Sequence, residues 1–163
     1  MTLDNNKLEL TLKAWEKTVD VQMHFNDLCL KVRSFAMSIL GVMLGGAAIS
    51  YRYGGDVVMS SLSFPIAAIF ISVSIIIWAA FYLMDRYWYH ELLRGAVIHG
   101  RKLEKVLNKN IPEIALANSI RKTSHASLSL NAAKKLDCFY IFILLVQICA
   151  LIAVSQGSVE ISN

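Results

Sequence analysis

The stretch VVMSSLSFPIAAIFISVSIIIWAAFYLMDRYWYH, residues 57–90, contains the longest run of this chain without a charged side chain. The run covers 28 residues, from Val57 to Met84, and ends at Asp85. A helix needs about 20 apolar residues to cross the ~30 Å hydrocarbon core of a bilayer. The stretch therefore predicts a transmembrane helix whose serine-rich beginning lies at the interface and whose apolar core starts near Phe64.

Two further charge-free runs are long enough for the same role, namely Phe35–Tyr51 with 17 residues and Cys138–Ser155 with 18. The composition agrees: 56% of the 163 residues are hydrophobic and 17% are charged, whereas soluble domains have about 45–50% and roughly 25%. We therefore predict an all-α protein with three transmembrane helices. The predicted segments are a cytoplasmic amphipathic helix (1–34), three spans (35–51, 57–85 and 137–155), a short external loop (52–56), a cytoplasmic helical region (86–136) and an external tail (156–163).

The 16 lysine and arginine residues are distributed unevenly around these runs. Five of them precede Phe35, ten lie between Arg86 and Lys135, one is Arg52, and none follows Ser155. Basic residues concentrate on the cytoplasmic side of membrane proteins. We therefore predict a multi-pass protein of the bacterial cytoplasmic (inner) membrane, with its N-terminus in the cytoplasm and its C-terminus outside. Because aromatic residues do not interleave with the basic ones, we expect no nucleic-acid partner.

Aromatic residues gather where the second run meets charged sequence. Tyrosine and tryptophan collect at membrane surfaces, because the ring stays in apolar surroundings while its polar tip reaches water. The pattern predicts an interface belt formed by Trp78, Tyr82, Tyr87, Trp88 and Tyr89.

The apolar spacing continues beyond the first two runs and predicts two helices of roughly 45 residues that extend into the cytoplasm as a coiled helical hairpin. A short helix, Pro112–Ile120, and then a turn would lead to the third span near Leu130. Each long helix carries a stripe of charge at helical spacing: Glu16, Asp20 and Asp27 on the first, and Arg94, Arg101 and Lys105 on the second.

These two stripes suggest a charge zipper. If both helices leave the membrane at the same depth, Asp27, Asp20 and Glu16 lie opposite positions 93, 100 and 104, each one residue from a cation. The zipper would close the hairpin within one chain or between neighbouring chains. The alternatives are two solvated faces, since exposed ion pairs contribute only about 0–1 kcal/mol, and a metal site formed by Asp20, His24 and Asp27.

Inside the runs, small and uncharged polar residues stand out. Helix packing or oligomerisation is predicted for the small-residue face (Ser38, Gly41, Gly45 and Ala48), because such residues let helix backbones approach closely. Ser72, Ser74 and Gln147 are polar residues at membrane depth. Gln147 either bonds to another helix or faces a water-filled lumen. The small face and this glutamine both favour a homo-oligomer with closed symmetry.

Catalytic motifs are missing from the sequence. His90-Glu91 begins like the HExxH zinc motif, but Arg94 stands where the second histidine is needed. The runs contain no Asp, Glu, Lys, Arg or His, which disfavours proton relays and voltage sensors. We expect no enzyme activity, no cofactor and no metal.

Two segments, VQMHFNDLCLKVRSFAMSILG (21–41) and DRYWYHELLRGAVIHGRKLE (85–104), are similar to segments of small bacterial inner-membrane proteins and resemble the RipA-type octameric membrane proteins. The match covers about a quarter of the chain. It implies a homo-oligomer in the cytoplasmic membrane and assigns no residue a role. The plan of charged cytoplasmic helices on a short multi-span bundle also resembles membrane effectors of bacterial anti-phage systems.

The sequence therefore predicts a non-enzymatic oligomeric inner-membrane protein that forms a pore- or channel-like assembly, controlled by its cytoplasmic helices, as an anti-phage or stress effector. The alternatives are a membrane scaffold that recruits a cytosolic partner without conducting and, third, a membrane enzyme. The expected partners are other copies of the chain, the lipid bilayer, and a cytosolic protein or a small signalling ligand.

Overall fold

The computed structural model describes residues 4–59, 62–127 and 131–161. Its helices are α1 (Asn5–Tyr53), α2 (Ile66–Met84), α3 (His90–Leu107), α4 (Leu116–Ser127) and α5 (Ala132–Ile161). A π-helical turn, Asp85–Tyr89, joins α2 to α3, and the strands β1 (Asp56–Met59) and β2 (Leu62–Pro65) pair in antiparallel fashion. Since 87% of the described residues are helical, the predicted all-α class is confirmed.

Three helices within the described residues are long and apolar enough to cross a membrane. They are α1, the continuous helix Ile66–Leu107, and the part of α5 from Ala132 to Gln156. The 19 residues of α2 extend about 28 Å at ~1.5 Å per residue, which matches the ~30 Å core of a bilayer. The prediction of three candidate membrane spans is therefore confirmed at the level of length and composition.

The second of these helices begins later than predicted. The sequence placed this span at 57–85, but β1 and β2 precede it and α2 starts at Ile66. Asp56 pairs with Pro65 at the open end of the hairpin. Pro65 has no N–H to contribute to a ladder, so it ends the strand and the helix follows at once. Gly55, with φ +66, supplies the left-handed conformation that turns the chain from α1 into β1.

The chain divides into two compact units. The charged unit comprises the residues up to Leu30 and the segment Asp85–Lys135. The apolar unit comprises Lys31–Met84 and the residues from Leu136 onward.

In the charged unit, the N-terminal part of α1 packs antiparallel to α3. Gln22 Nε2 donates a hydrogen bond to the carbonyl oxygen of Ala96 at 3.2 Å, and Thr18 lies against Gly100. Ala96, Gly100 and Thr18 are all buried. Small side chains on α3 therefore allow α1 to approach closely enough for a side chain to reach a backbone carbonyl.

The helix α4 differs from the predicted short helix and turn. The sequence suggested a helix over Pro112–Ile120, yet α4 begins at Leu116 and continues to Ser127. Asn108 Nδ2 donates to the carbonyl oxygen of Pro112 at 2.9 Å and so stabilises a turn where the helix was expected to start. This bond is local, since Asn108 and Pro112 are four residues apart, but Asn108 precedes the segment 112–127, whose periodicity contains no sign of it.

The apolar unit is built around Trp78 of α2. Its side chain is buried, its Nε1 donates to the carbonyl oxygen of Tyr140 at 3.0 Å, and the centroids of the two rings lie 4.8 Å apart. Trp78 is thus a core residue whose ring faces the other helices, and its place at the depth of an interface belt stays a prediction. Tyr82 is half-buried and donates to Asp137 Oδ1 at 3.2 Å, whereas Trp88 is exposed as a belt residue would be.

Of the other belt residues, Tyr87 is exposed and Tyr89 is half-buried, and both lie in the π-helical turn. Asp85, at the start of this turn, is fully buried. The sequence "DRYWY" therefore combines a buried carboxyl group with outward-facing rings.

Candidate functional site

Glu104 joins three helices of the charged unit. Its buried carboxylate accepts a hydrogen bond from Trp15 Nε1 of α1 at 3.3 Å. The backbone N–H of Ala117, the second residue of α4, donates to both carboxylate oxygens, at 2.9 Å and 3.2 Å. The first N–H groups of a helix have no partner within it, and the helix dipole favours a negative charge beside them. Glu104 of α3 therefore caps α4 and holds it in place.

An open cleft of about 420 Å³ lies between α3 and α4. Arg101 and Lys105 line it from α3, where four-residue spacing puts them on one face. Asn118 and Arg121 line it from α4, where three-residue spacing has the same effect. The carboxylate of Glu104 completes this set of polar groups.

The cleft has a fixed apolar end. Ile114 and Ala115, from the segment between α3 and α4, belong to its lining. Asn108 Nδ2 donates to the carbonyl oxygens of Pro112 and Ile114, at 2.9 Å and 3.4 Å. These two bonds tie the connecting segment to the residue that follows α3.

The charge of the cleft is positive. Arg101, Lys105 and Arg121 are exposed to solvent, and among the described residues no ion pair involves any of them. The one carboxylate of the lining, that of Glu104, is already bonded to Ala117 and Trp15. Three cations therefore stand around a cleft with their hydrogen-bond donors available, which is an arrangement suited to a small anion.

The predicted charge zipper does not form within the chain. Asp20 pairs with Lys17 of its own helix at 3.1 Å, and Arg94 pairs with Glu91 of its own helix at 3.2 Å. Among the described residues, no ion pair joins any of the three predicted couples. Two of the predicted cations, Arg101 and Lys105, line the cleft instead. The version of the zipper between neighbouring chains stays a prediction.

The reason lies in which face of α1 packs against α3. Gly100 lies between Thr18 and Gln22, at the depth that was predicted for Asp20, and Trp15 reaches Glu104. Residue 20 is two positions from each of residues 18 and 22, which turns its side chain about 200° around the helix from theirs. The acidic stripe therefore faces away from α3, and Glu16, Asp20 and Asp27 are all exposed.

In the apolar unit, the predicted polar residues form one bond between helices. Gln147 is fully buried, and its Nε2 donates to Ser74 Oγ at 2.8 Å. Ser74 Oγ in turn donates to the carbonyl oxygen of Ile71 at 2.7 Å. Of the two roles considered for Gln147, bonding to another helix is therefore the one observed. Gln147 Oε1 has no partner within the described residues, and Ser72 takes no part in this bond.

The predicted small-residue face is turned outward. Ser38, Gly41, Gly45 and Ala48 are all exposed, and nothing lies within 4 Å of a Cβ added at Gly41 or Gly45. Packing inside the chain instead uses Gly46, where an added Cβ would lie 3.0 Å from the ring of Phe70. The G-x-x-x-G pattern thus has no role in the packing of the single chain.

The polar cleft residues that the sequence did not assign to a site are Glu104, Asn108, Asn118 and Arg121. Arg121 was placed in a turn because the helix before it was expected to end at Ile120. If the predicted helix had extended to residue 127, Asn118 and Arg121 would have been placed on one helical face. That spacing would have indicated a shared site. Nothing in the local pattern around Glu104 indicates its role, since both groups that donate to it are distant in sequence.

Within the part of the chain that the structure describes, no group of three or more His, Cys, Asp or Glu side chains is placed to hold a metal ion. Comparison of the chain with protein-family models, with curated proteins and with solved structures found no match.

Proposed function

We propose that the chain is a non-enzymatic, homo-oligomeric protein of the bacterial cytoplasmic membrane, and that its assembly is a conduit controlled by the charged unit. The distribution of lysine and arginine supports a cytoplasmic N-terminus and charged unit and an external C-terminus. The proposed biological role is that of a stress or anti-phage effector. The relationship to RipA-type octamers belongs to the same proposal.

The outward-facing small residues of α1 carry this proposal. Lipid tails are as apolar as leucine, so helices associate in a bilayer through close packing rather than through a hydrophobic driving force. Ser38, Gly41, Gly45 and Ala48 form a flat surface that extends over about 15 Å at ~1.5 Å per residue. Because this surface is exposed in the single chain, a second copy is the partner that it fits best.

A lumen in this assembly would be lined by apolar and small side chains. Gln147 and Ser74 are buried inside the apolar unit and bonded to each other. The exposed positions on the spans include Val42, Ile76 and Phe142. Hydrophobic constrictions hold a pore closed by excluding water, so we propose that the conduit is closed at rest and that a change in the charged unit opens it.

The assembly is tested first, by exchanging small residues for leucine. Gly41→Leu with Gly45→Leu adds bulk on the small face and should convert the purified oligomer into monomers, as measured by native mass spectrometry in lipid nanodiscs. The matched control is Ala80→Leu with Ala153→Leu, which adds similar bulk at exposed positions of α2 and α5 and should leave the subunit number unchanged. A monomeric wild-type protein, or equal loss in both double variants, contradicts the proposal.

Ion flux tests the conduit. Liposomes that contain the full chain should release a trapped dye or ions when the charged unit is activated, and Gly41→Leu with Gly45→Leu should abolish the release. Because Gln147 is buried, Gln147→Leu should leave the flux of the assembled protein unchanged. Reduced conductance in an intact Gln147→Leu oligomer would place this side chain on the pathway and contradict the apolar lumen.

A scaffold that conducts nothing is the second candidate, and the burial of both polar groups at depth favours it. An oligomer that survives purification, keeps liposomes tight under every condition and captures a cytosolic protein through its charged unit would support the scaffold and exclude the conduit. Orientation is tested separately with tags at both termini and a reagent that does not cross lipid. Protection of the N-terminal tag alone, in intact cells, is the expected result.

A further inference from the structure

We propose that the cleft between α3 and α4 binds a small molecule that carries phosphoryl groups, and that this ligand is the signal to which the assembly responds. The binding of this ligand depends on the cleft alone. Its role as a signal rests on the proposed function, in which the charged unit controls the assembly.

The two sides of the cleft supply matching donors. Arg101 and Lys105 stand on α3, Arg121 stands on α4, and the side-chain amide of Asn118 lies on the same face as Arg121. A guanidinium presents N–H groups in a planar fork that fits two phosphate oxygens at once. A ligand between the helices therefore receives forks from both sides, and a compact ammonium group from Lys105.

The balance of charge favours a ligand with more than one negative charge. Three cations and one carboxylate line the cleft, and the cations stand together with no ion-pair partner in the described part of the chain. Three cations minus one carboxylate leave a formal charge of +2 in the lining, and a monoanion would compensate only part of it. A phosphate ester or anhydride carries two or more charges at neutral pH and compensates the whole cluster.

Size and polarity favour a phosphorylated organic molecule over the free ion. The cleft of about 420 Å³ falls within the roughly 300–1,000 Å³ of small-molecule sites, far more than one phosphate needs. Ile114 and Ala115 provide an apolar wall at one end, against which a base or another carbon skeleton packs. A nucleotide has both parts.

The position of the cleft gives binding a structural consequence. A ligand held by Arg101 and Arg121 links α3 to α4 beside Glu104, the residue that already joins α4 to α1 through Trp15. Binding therefore strengthens a junction of three helices. We expect ligand to slow hydrogen exchange in α4 and to raise the unfolding temperature of the charged unit.

The test uses the full chain in nanodiscs of zwitterionic lipid at physiological salt, titrated with a fluorescent ATP analogue. Unlabelled ATP and inorganic pyrophosphate should compete well, and inorganic phosphate should compete poorly. Arg101→Gln with Arg121→Gln should weaken binding at least about tenfold, because two charge-assisted contacts are lost. The matched control, Lys102→Gln with Lys122→Gln, removes the same charge from adjacent exposed residues outside the cleft and should change Kd less than about threefold.

Two results overturn the inference: no binding of the analogue, or equal weakening in both double variants, which indicates diffuse attraction rather than a site. Nanodiscs with anionic phosphatidylglycerol identify the source of the phosphoryl group. Unchanged binding of the analogue in these nanodiscs supports a soluble ligand. If anionic lipid weakens binding of the analogue relative to zwitterionic lipid in the wild type, and has no such effect in the arginine variant, a lipid headgroup occupies the same cleft.

Failure of this inference is distinguishable from failure of the proposed function. Loss of binding in the arginine variant with an intact oligomer tests the cleft alone. Loss of assembly in Gly41→Leu with Gly45→Leu, with the affinity for the analogue unchanged, tests the assembly alone. Binding that never alters flux removes the signalling part and leaves the site.

Discussion

The charged unit and the apolar unit are both made of helices, but different interactions join the helices in each. In the charged unit, a carboxylate of α3 accepts hydrogen bonds from α1 and from α4, and a glutamine of α1 reaches a backbone carbonyl of α3. In the apolar unit, the rings of Trp78 and Tyr140 pack beside small residues such as Ala36. Polar bonds position the helices of the charged unit, whereas the apolar unit combines the packing of rings with polar bonds from Trp78, Tyr82 and Gln147.

This difference reflects the surroundings that each composition suits. In water, a few buried hydrogen bonds select one arrangement of partly polar helices, because an unpaired buried group costs about 1–3 kcal/mol. In lipid, hydrophobic burial no longer distinguishes one helix arrangement from another, so close packing selects among them. The predictions below test whether the two units follow these two rules.

The largest effect is expected in the apolar unit. Trp78→Ala removes a buried ring and the hydrogen bond to the carbonyl of Tyr140, and should destabilise the protein by about 3 kcal/mol. Trp88→Ala removes an exposed ring and should cost less than about 0.5 kcal/mol. Thermal unfolding in detergent, followed by near-ultraviolet circular dichroism, measures both. Equal losses would mean that the packing of Trp78 does not hold the apolar unit together.

The next effect concerns the polar junction of the charged unit. Glu104→Ala leaves the N–H of Ala117 and the indole N–H of Trp15 without their acceptor, and should cost about 2 kcal/mol. Glu104→Gln keeps one acceptor oxygen and should cost less. The control Glu113→Ala changes an exposed carboxylate nearby and should have little effect. Hydrogen exchange of the backbone amides of α4 measures the local loss, and normal protection in Glu104→Ala would refute the capping role.

A smaller effect is expected at the bond between α2 and α5. Ser74→Ala removes the acceptor of Gln147 Nε2 and should cost about 1 kcal/mol, the usual size for such bonds between membrane helices. Adding Gln147→Leu to Ser74→Ala should recover part of this loss, because no polar group is then left buried. Ser72→Ala should be neutral. The unfolding free energies of the wild type, Ser74→Ala, Gln147→Leu and the double variant form a double-mutant cycle, in which simple additivity would argue against a direct bond.

The smallest effects compare two glycines of α3. Nothing surrounds an added Cβ at Gly95, so Gly95→Ala should stabilise the helix by about 0.5–1 kcal/mol. A Cβ at Gly100 would meet the amide of Gln22, so Gly100→Ala displaces that side chain, loses its bond to Ala96 and should gain nothing. When Gly100→Ala is combined with Gln22→Ala, the free energy of unfolding should rise by no more than the gain in helix propensity. Denaturant unfolding measures all four proteins, and equal gains at Gly95 and Gly100 would contradict the close approach of α1.

The spans show what the hydropathy pattern of the sequence predicts correctly and what it does not. Three apolar runs predicted three helices long enough for a membrane, and the structure has them. The run from Val57 was assigned too early a helix start, because an apolar stretch does not distinguish a strand from a helix by hydropathy alone. Pro65 marked the true boundary.

The candidate cleft was foreseen only in part. Helical spacing put Arg101 and Lys105 on one face, and the structure leaves both on one face. Their partner was assigned to the acidic stripe of α1, but that stripe faces away from α3, because Thr18 and Gln22, rather than Asp20, pack against Gly100. Glu104 lies between these two cations in the sequence, and its role depends on Trp15 and Ala117, which lie far from it along the chain.

The sequence by itself determined the number of the candidate membrane spans and the separation of charged from apolar segments. These are properties of consecutive residues, and because a helix is built from consecutive residues, a continuous apolar run becomes a continuous apolar helix. Only the tertiary structure decided which side of each helix is inside: it buried Trp78, turned Gly41 outward and brought Arg121 across from Arg101. Residues two positions apart lie on nearly opposite sides of a helix, and contacts between residues far apart in the chain decide which side is buried.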